Sequence, residues 1–191
     1  MDLHRRVLVV NLNRFASWVR LIPRARFDSA RRAPDAEGSF TGQQGTPYGM
    51  NREGGFVSGL DIPCTKPPWG ELVAIHLDEG RVLWRVPLGT IRDIAPLPLP
   101  IRWGTPNLGG PIATAGGLVF IAAAMDDYLR AFDVETGEEL WKGRLPAGGQ
   151  ATPMTYRLGP TGKQYVVIAA GGHGGLGTTL GDHVVAFALP D

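Results

Sequence analysis

Apolar positions along the chain fall in short runs in which hydrophobic and polar residues alternate, each run bounded by glycine or proline. The clearest lie at 72–77, 112–115, 118–123, 128–134, 151–157, 164–170 and 183–189. A period of two predicts strands with one face turned to a core. Close spacing with Gly- and Pro-bearing breaks predicts turns between neighbours. Glycine (27) and proline (16) together make up just under a quarter of 191 residues, and only 19% are charged. Long helices are disfavoured, and an all-β chain of many short strands is expected.

The pattern repeats. Ala74-Ile-His76-Leu-Asp-Glu79-Gly80-Arg-Val-Leu83-Trp84 and Ala131-Phe-Asp133-Val-Glu-Thr136-Gly137-Glu-Glu-Leu140-Trp141 place Ala, Gly, Leu and Trp in register, 57 positions apart. A third, partial copy runs from Val184 to Leu189. Each full copy reads as a strand, a tight turn whose Gly supplies a positive φ, and a second strand ending in Leu-Trp. For the second copy, 112–115 and 118–123 supply two further strands. Four short antiparallel strands per unit at this spacing predict propeller blades. A β-sandwich with one coincidental hairpin match is the alternative.

Charge and candidate chemistry narrow the function. The net charge is +1, but residues 1–32 hold eight Arg against Asp2 and Asp28. A basic arm suits nucleic acid or an anionic membrane; here the Arg alternate with apolar residues as strands do, and no nucleic-acid partner is expected. The uncharged stretches 103–125 and 164–181 are broken by glycine, so neither predicts a spanning helix. Met1–Val10 has too short an apolar run for a signal-peptide core. The lone Cys64 excludes an intrachain disulfide and a cysteine-based zinc site. The glycine loop 171–177 lacks the Gly-Lys-Ser/Thr ending of a phosphate loop, and no hydrolase or zinc-protease motif occurs.

The Ala131-x-Asp133-x-x-Thr136-Gly137-x-x-Leu140-Trp141 segment resembles the tryptophan-docking motif of quinoprotein dehydrogenases, eight-bladed propellers that use pyrroloquinoline quinone (PQQ). In that family the Trp packs on backbone near a glycine of the next blade and its indole N–H finds a carbonyl. The segments 105–121, 145–156 and 162–174, with Cys64-Thr-Lys-Pro-Pro-Trp69-Gly70, are similar to the C-terminal part of membrane-bound glucose dehydrogenases of this type. The resemblance spans about residues 7–190. It implies a partial β-propeller of three to four four-stranded antiparallel blades: an incomplete blade at 1–45, blades at 46–89 and 105–145, and a last blade at 150–191 lacking its closing strand.

The same resemblance implies oxidation of a sugar or alcohol hydroxyl, ubiquinone as electron acceptor, and a periplasmic, membrane-associated location. It implies PQQ with Ca²⁺ or Mg²⁺, both expected only in the complete protein, with metal ligands unassigned. The catalytic Asp and a Lys or Arg beside the quinone are expected upstream of this chain, in remaining blades on the same or an adjacent polypeptide. Alone, the piece is expected to be inactive; a non-catalytic assembly scaffold or a gene remnant are the alternatives. Candidate cofactor-binding residues are Asn107, Leu108 and Gly109, in a turn that brings bare backbone close to a planar ligand. Asp126, expected to project from a strand end, and His173, set among glycines, complete the set. Asp93 is a further candidate, and Asp127 reads as a turn residue. Substitution at Asp126 or His173 is expected to leave stability nearly unchanged.

Overall fold

The alternating runs form antiparallel strands in the order β1 (Val7–Asn13), β2 (Ser17–Pro23), α1 (Arg24–Arg31), β3 (Ser39–Thr41), β4 (Tyr48–Gly55), β5 (Gly70–His76), β6 (Val82–Pro87), β7 (Ile112–Ala113), β8 (Leu118–Ile121), β9 (Tyr128–Asp133), β10 (Glu139–Arg144), β11 (Met154–Arg157), β12 (Gln164–Ala170) and β13 (His183–Ala188). The structure, a computed structural model, describes residues 1–59, 62–94 and 101–189. Met1–Arg14 with Pro67–Asp191 form one compact unit and Phe15–Lys66 another.

The larger unit holds three sheets, ordered β1-β5-β6, β10-β9-β8-β7 and β11-β12-β13. Four strands occur in the middle sheet and three in each of the others. The all-β, antiparallel reading stands, and the structure groups the first residues differently from the expected split at 45/46. β1 pairs along its whole length with β5, from Val7 opposite His76 to Asn13 opposite Gly70. Residues 17–55 instead make their own sheet, β2-β4-β3, whose strands lie on both sides of position 45. A partner more than fifty residues away leaves no local trace in an alternating pattern. The last two residues of the expected blade 150–191 lie outside the described residues.

The inner strands of the middle sheet, β8 and β9, are covered on both faces, whereas β10 at its edge is largely exposed. Val119, Ile121, Phe132 and Val134 pack with Val7, Val9, Leu72 and Leu88 of the first sheet. From the opposite face, Ala122, Leu129 and Leu145 pack with Ile168 and Ala170 of the third. Arg130 shares the alternation of Phe132 and Val134 and so enters the interior as well, 2% exposed.

A tryptophan locks the first two sheets. Trp84 Nε1–H donates to the Val134 carbonyl at 2.9 Å, and its ring lies where a Cβ on Gly137 would stand, 2.6 Å from the nearest ring atoms. Only a residue without a side chain accepts that approach, and φ +75° at Gly137 favours glycine independently. The flat ring therefore gains close packing and a satisfied donor together. The two repeat turns solve one hydrogen-bonding problem differently. Asp133 Oδ1 accepts from the amides of Glu135 and Thr136, whereas in the first copy His76 Nδ1 accepts from the Glu79 amide. Trp141 has a different neighbour: its ring meets Phe187 edge-on at 5.0 Å and it is 39% exposed.

In the smaller unit Phe27 of α1 is the buried anchor, its ring lying where a Cβ on Gly49 of β4 would be. Arg24 donates to the carbonyls of Gln43, Thr46 and Tyr48 and so ties the helix start to the loop before β4.

Replacing Trp84 with Ala is expected to cost about 3–5 kcal/mol, through the cavity and the lost contacts. Trp84→Phe keeps a ring, loses the donor and is expected to cost about 1 kcal/mol. Urea unfolding midpoints measure both; equal midpoints for the two variants would show that the hydrogen bond, not the packing, holds the sheets.

Candidate functional site

The strand ends bring five connections together at one end of the larger unit. β1 ends and β5 begins there, β6 and β8 end, β9 begins, β10 and β12 end, and β13 begins, as the registers Asn13–Gly70, Ile121–Arg130, Tyr128–Arg144 and Ala170–His183 require. The connecting segments then bond to one another across sheets. Leu108 N–H donates to the Ala123 carbonyl (3.0 Å), Ala123 N–H to Gly149 (2.8 Å), and Gly148 N–H to Thr179 (2.9 Å). Buried backbone groups must find partners, and here the connections supply them for each other. Ala123, fully buried, holds φ +59° at the centre of this lacing, a left-handed conformation costly for a residue with a Cβ.

All five candidate residues fall at this end, but they divide into two kinds. Asn107 is 1% exposed and its polar atoms are engaged. Its Nδ2 donates to the Leu12 carbonyl, its Oδ1 accepts from Asn11 Nδ2 at 2.6 Å, and its amide N–H donates to Asn13 Oδ1. It stitches β1 to the connection before β7. Gly109 allows a contact: a Cβ there would lie 2.5 Å from the Gln150 carbonyl oxygen, and φ is +115°. Leu108 between them is 42% exposed, and His173 is exposed at the start of a short 3-10 turn, Gly174–Leu176.

Asp126 does not project from the strand end. It is fully buried, and both carboxylate oxygens receive Arg130 Nη1 and Nη2, at 2.8 and 2.6 Å. Its Oδ2 also accepts from the Thr90 amide and hydroxyl, both at 2.7 Å. A bidentate, charge-assisted pair with two added hydrogen bonds is the arrangement that makes a buried ion pair tolerable. Removing Asp126 would leave the buried Arg130 only the Glu139 carboxylate, 3.4 Å from its Nε, so the expectation that Asp126 is neutral to stability is corrected.

Asp127, read from sequence as a turn residue, is 4% exposed. Its Oδ2 accepts from the Thr179 hydroxyl at 3.1 Å and lies 3.5 Å from Arg144 Nη2, while its Oδ1 is buried without a hydrogen-bond partner. Burial pushes this carboxyl above the usual carboxylate range, and the nearby charge of Asp93 adds to the rise. Asp93 behaves oppositely: Arg144 grips it with two hydrogen bonds, at 2.7 and 2.8 Å, and holds its pKa down. The Arg144 guanidinium lies over the Tyr128 ring, 4.9 Å from its centre. Among the described residues, no group of three or more His, Cys, Asp and Glu side chains is arranged to hold a metal ion.

Sequence reasoning missed Thr90, Arg130, Arg144, Gln150 and Thr179. Arg130 carried a readable signal, since Asp126 and Arg130 sit four apart at the start of a strand and so share a face. Thr90 and Thr179 join only through tertiary contacts, more than thirty residues from their partners.

Stacked antiparallel sheets, tryptophan-docked and laced together by their connections at one end, define a propeller-type repeat protein. The chain belongs to the PQQ family described as glucose/ethanol/alcohol dehydrogenase, beta-propeller domain, whose model matches residues 1–166. It is 46% identical over 200 residues to the quinoprotein glucose dehydrogenase of Escherichia coli, covering all of this chain and 25% of that protein. To the quinate/shikimate dehydrogenase (quinone) of Acinetobacter baylyi it is 46% identical over 197 residues, covering 98% of this chain and 24% of that protein. The chain thus spans about a quarter of the length of the curated relatives it matches. The quinohemoprotein alcohol dehydrogenase structure from Comamonas testosteroni shares the fold, with a TM-score of 0.56 at 20% identity over 98% of this chain and 24% of that one.

Two outcomes follow from the paired aspartates. Asp126→Asn is expected to destabilise by about 3–5 kcal/mol, as for a broken buried pair, seen as an earlier urea midpoint; a shift within 0.5 kcal/mol, the scatter of surface changes, would contradict the buried geometry. Asp127 has a raised native pKa, so its proton is held more tightly folded than unfolded. Its favourable contribution is complete below the unfolded value near 3.9 and is lost as pH rises through the folded value. Asp127→Asn should therefore melt higher than the parent at pH 7, with the gain shrinking as pH falls toward 4. Parallel melting curves across that range would refute the shift.

Proposed function

We propose that this chain forms one side of the PQQ pocket in a dehydrogenase that oxidises a hydroxyl of a sugar, a cyclic polyol acid or an alcohol and passes the electrons to ubiquinone. The observation that carries the reading is the connection end itself, where Leu108, Gly109 and His173 stay exposed while Asn107 and Asp126 are buried and engaged internally. Membership of the PQQ family supports the cofactor, which when bound supplies the two-electron acceptor. Leu108 offers an apolar contact for a planar ring. His173, on a glycine-rich turn, offers a polar one. Asn107, Gly109 and Asp126 act one step back, holding the surface that carries them.

The donor set fits the organic cofactor better than its cation. No metal-holding cluster occurs among the described residues, so the ligands of the Ca²⁺ or Mg²⁺ stay unassigned, and the catalytic Asp is proposed to lie upstream of these residues. Equal identity to a glucose and to a quinate/shikimate enzyme is consistent with a segment that serves the cofactor and leaves substrate choice to other residues. Inactivity of the chain by itself and a periplasmic location at the membrane belong to the same proposal. No helix among the described residues is long and apolar enough to cross a membrane.

A chimera tests it: residues 1–191 replace the matching quarter of the Escherichia coli glucose dehydrogenase. PQQ-dependent glucose oxidation within about tenfold of the parent is expected, since the reacting groups are retained. His173→Asn in the chimera should weaken PQQ retention several-fold and leave the apo melting temperature in place. A folded chimera that fails to bind PQQ would overturn the proposal.

A further inference from the structure

The glycine-rich loop 171–182 should be slack, since six of its twelve residues are glycine. Instead it is tied down at named points. Gly172 N–H donates to the Gly148 carbonyl at 2.8 Å, and Gly148 N–H to the Thr179 carbonyl at 2.9 Å. The Thr178 hydroxyl oxygen accepts the His173 amide at 2.8 Å and lies 3.1 Å from Gln150 Oε1, while Gln150 Nε2 donates to the Ala124 carbonyl at 2.8 Å. The remaining side-chain tie is the Thr179 hydroxyl to Asp127 Oδ2.

Asp127 differs from the other anchors. Its amide N–H donates to Asp93 Oδ2 (3.3 Å), its carbonyl accepts the Leu145 amide (2.8 Å), and its carboxylate faces Arg144. One residue therefore touches the connection after β6, the end of β10 and the loop before β13. A buried carboxyl with one oxygen unpartnered is an expensive way to accept one hydroxyl hydrogen bond. Its value lies in where that bond goes.

We propose that Asp127 is the positioning residue of the His173 loop, fixing residues 171–182 against the 122–127 corner through the Thr179 hydroxyl. It acts through Thr179 and the loop backbone and itself touches no ligand. The inference rests on the pocket reading only for its consequence, that a fixed loop presents His173 in one place; the latch itself is independent of any cofactor.

Hydrogen–deuterium exchange on the 191-residue chain, without cofactor, reads the latch directly. Asp127→Ala should speed exchange in the peptide covering 171–182 about tenfold, the worth of one such hydrogen bond, with strands 128–133 and 164–170 unchanged. Thr179→Val should match it, and the double variant should exchange no faster than either single one. Asp127→Asn retains an acceptor oxygen and should restore most of the protection. If Asp127→Ala loosens the strands too, Thr179→Val, which leaves the carboxyl in place, decides the matter. Unchanged loop exchange in Thr179→Val, additive effects in the double variant, or no rescue by Asn would overturn the proposal. Failure of the chimera to bind PQQ, with this coupling intact, would count against the pocket and not the latch.

Discussion

The buried ion pair of Asp126 and Arg130 is the constraint on which the connection end depends. Arg130 enters the core because it shares the alternation of Phe132 on β9 and of Val134 just after it, and a guanidinium there needs a carboxylate within reach. Asp126 supplies it and, through two hydrogen bonds to Thr90, fastens the chain leaving the first sheet to the corner of the second. With that corner fixed, Ala123 is held in its left-handed conformation, and its amide and carbonyl join the neighbouring connections on either side. The exposed residues Leu108 and His173 are displayed by this lacing. Their positions are consequences of buried chemistry.

Two kinds of interaction share the work of stacking the sheets. Away from the connection end, apolar layers and the Trp84–Gly137 contact bring the first and second sheets together, and the non-directional part of that energy tolerates small shifts. At the connection end, paired charges and backbone hydrogen bonds allow few. Preorganised polar surroundings of this kind are what a site needs if its exposed groups are to meet a ligand without rearrangement.

Much of the fold was legible in the chain. Alternation located the strands of the larger unit to within a few residues because one or both faces of each are buried, and the Gly-Trp spacing marked the repeat because a ring on bare backbone needs both residues. The insertion at 15–66 was not legible: β1 and β5 are adjacent in space and separated by fifty-six positions, and the helix Arg24–Arg31 carries only one buried apolar side chain, Phe27. At the site, the candidate positions were found but their burial was not. Asp126 looks the same in sequence whether it faces solvent or Arg130, and Thr90, which helps decide between them, is contributed by another sheet. Asp127 lies in the β8–β9 turn as read, but its burial was not legible, since its partner Thr179 lies fifty-two residues on.

The central claim is that the connection end meets the cofactor with Leu108 and His173 while Asp126 stays within its ion pair. A crystal structure of the chimera with PQQ bound measures this directly. The account predicts Leu108 in van der Waals contact with the ring system, His173 within hydrogen-bonding distance of the cofactor, and Arg130 still bidentate on Asp126. A structure in which Asp126 has left Arg130 to face the cofactor, with Leu108 and His173 remote from it, would contradict the account.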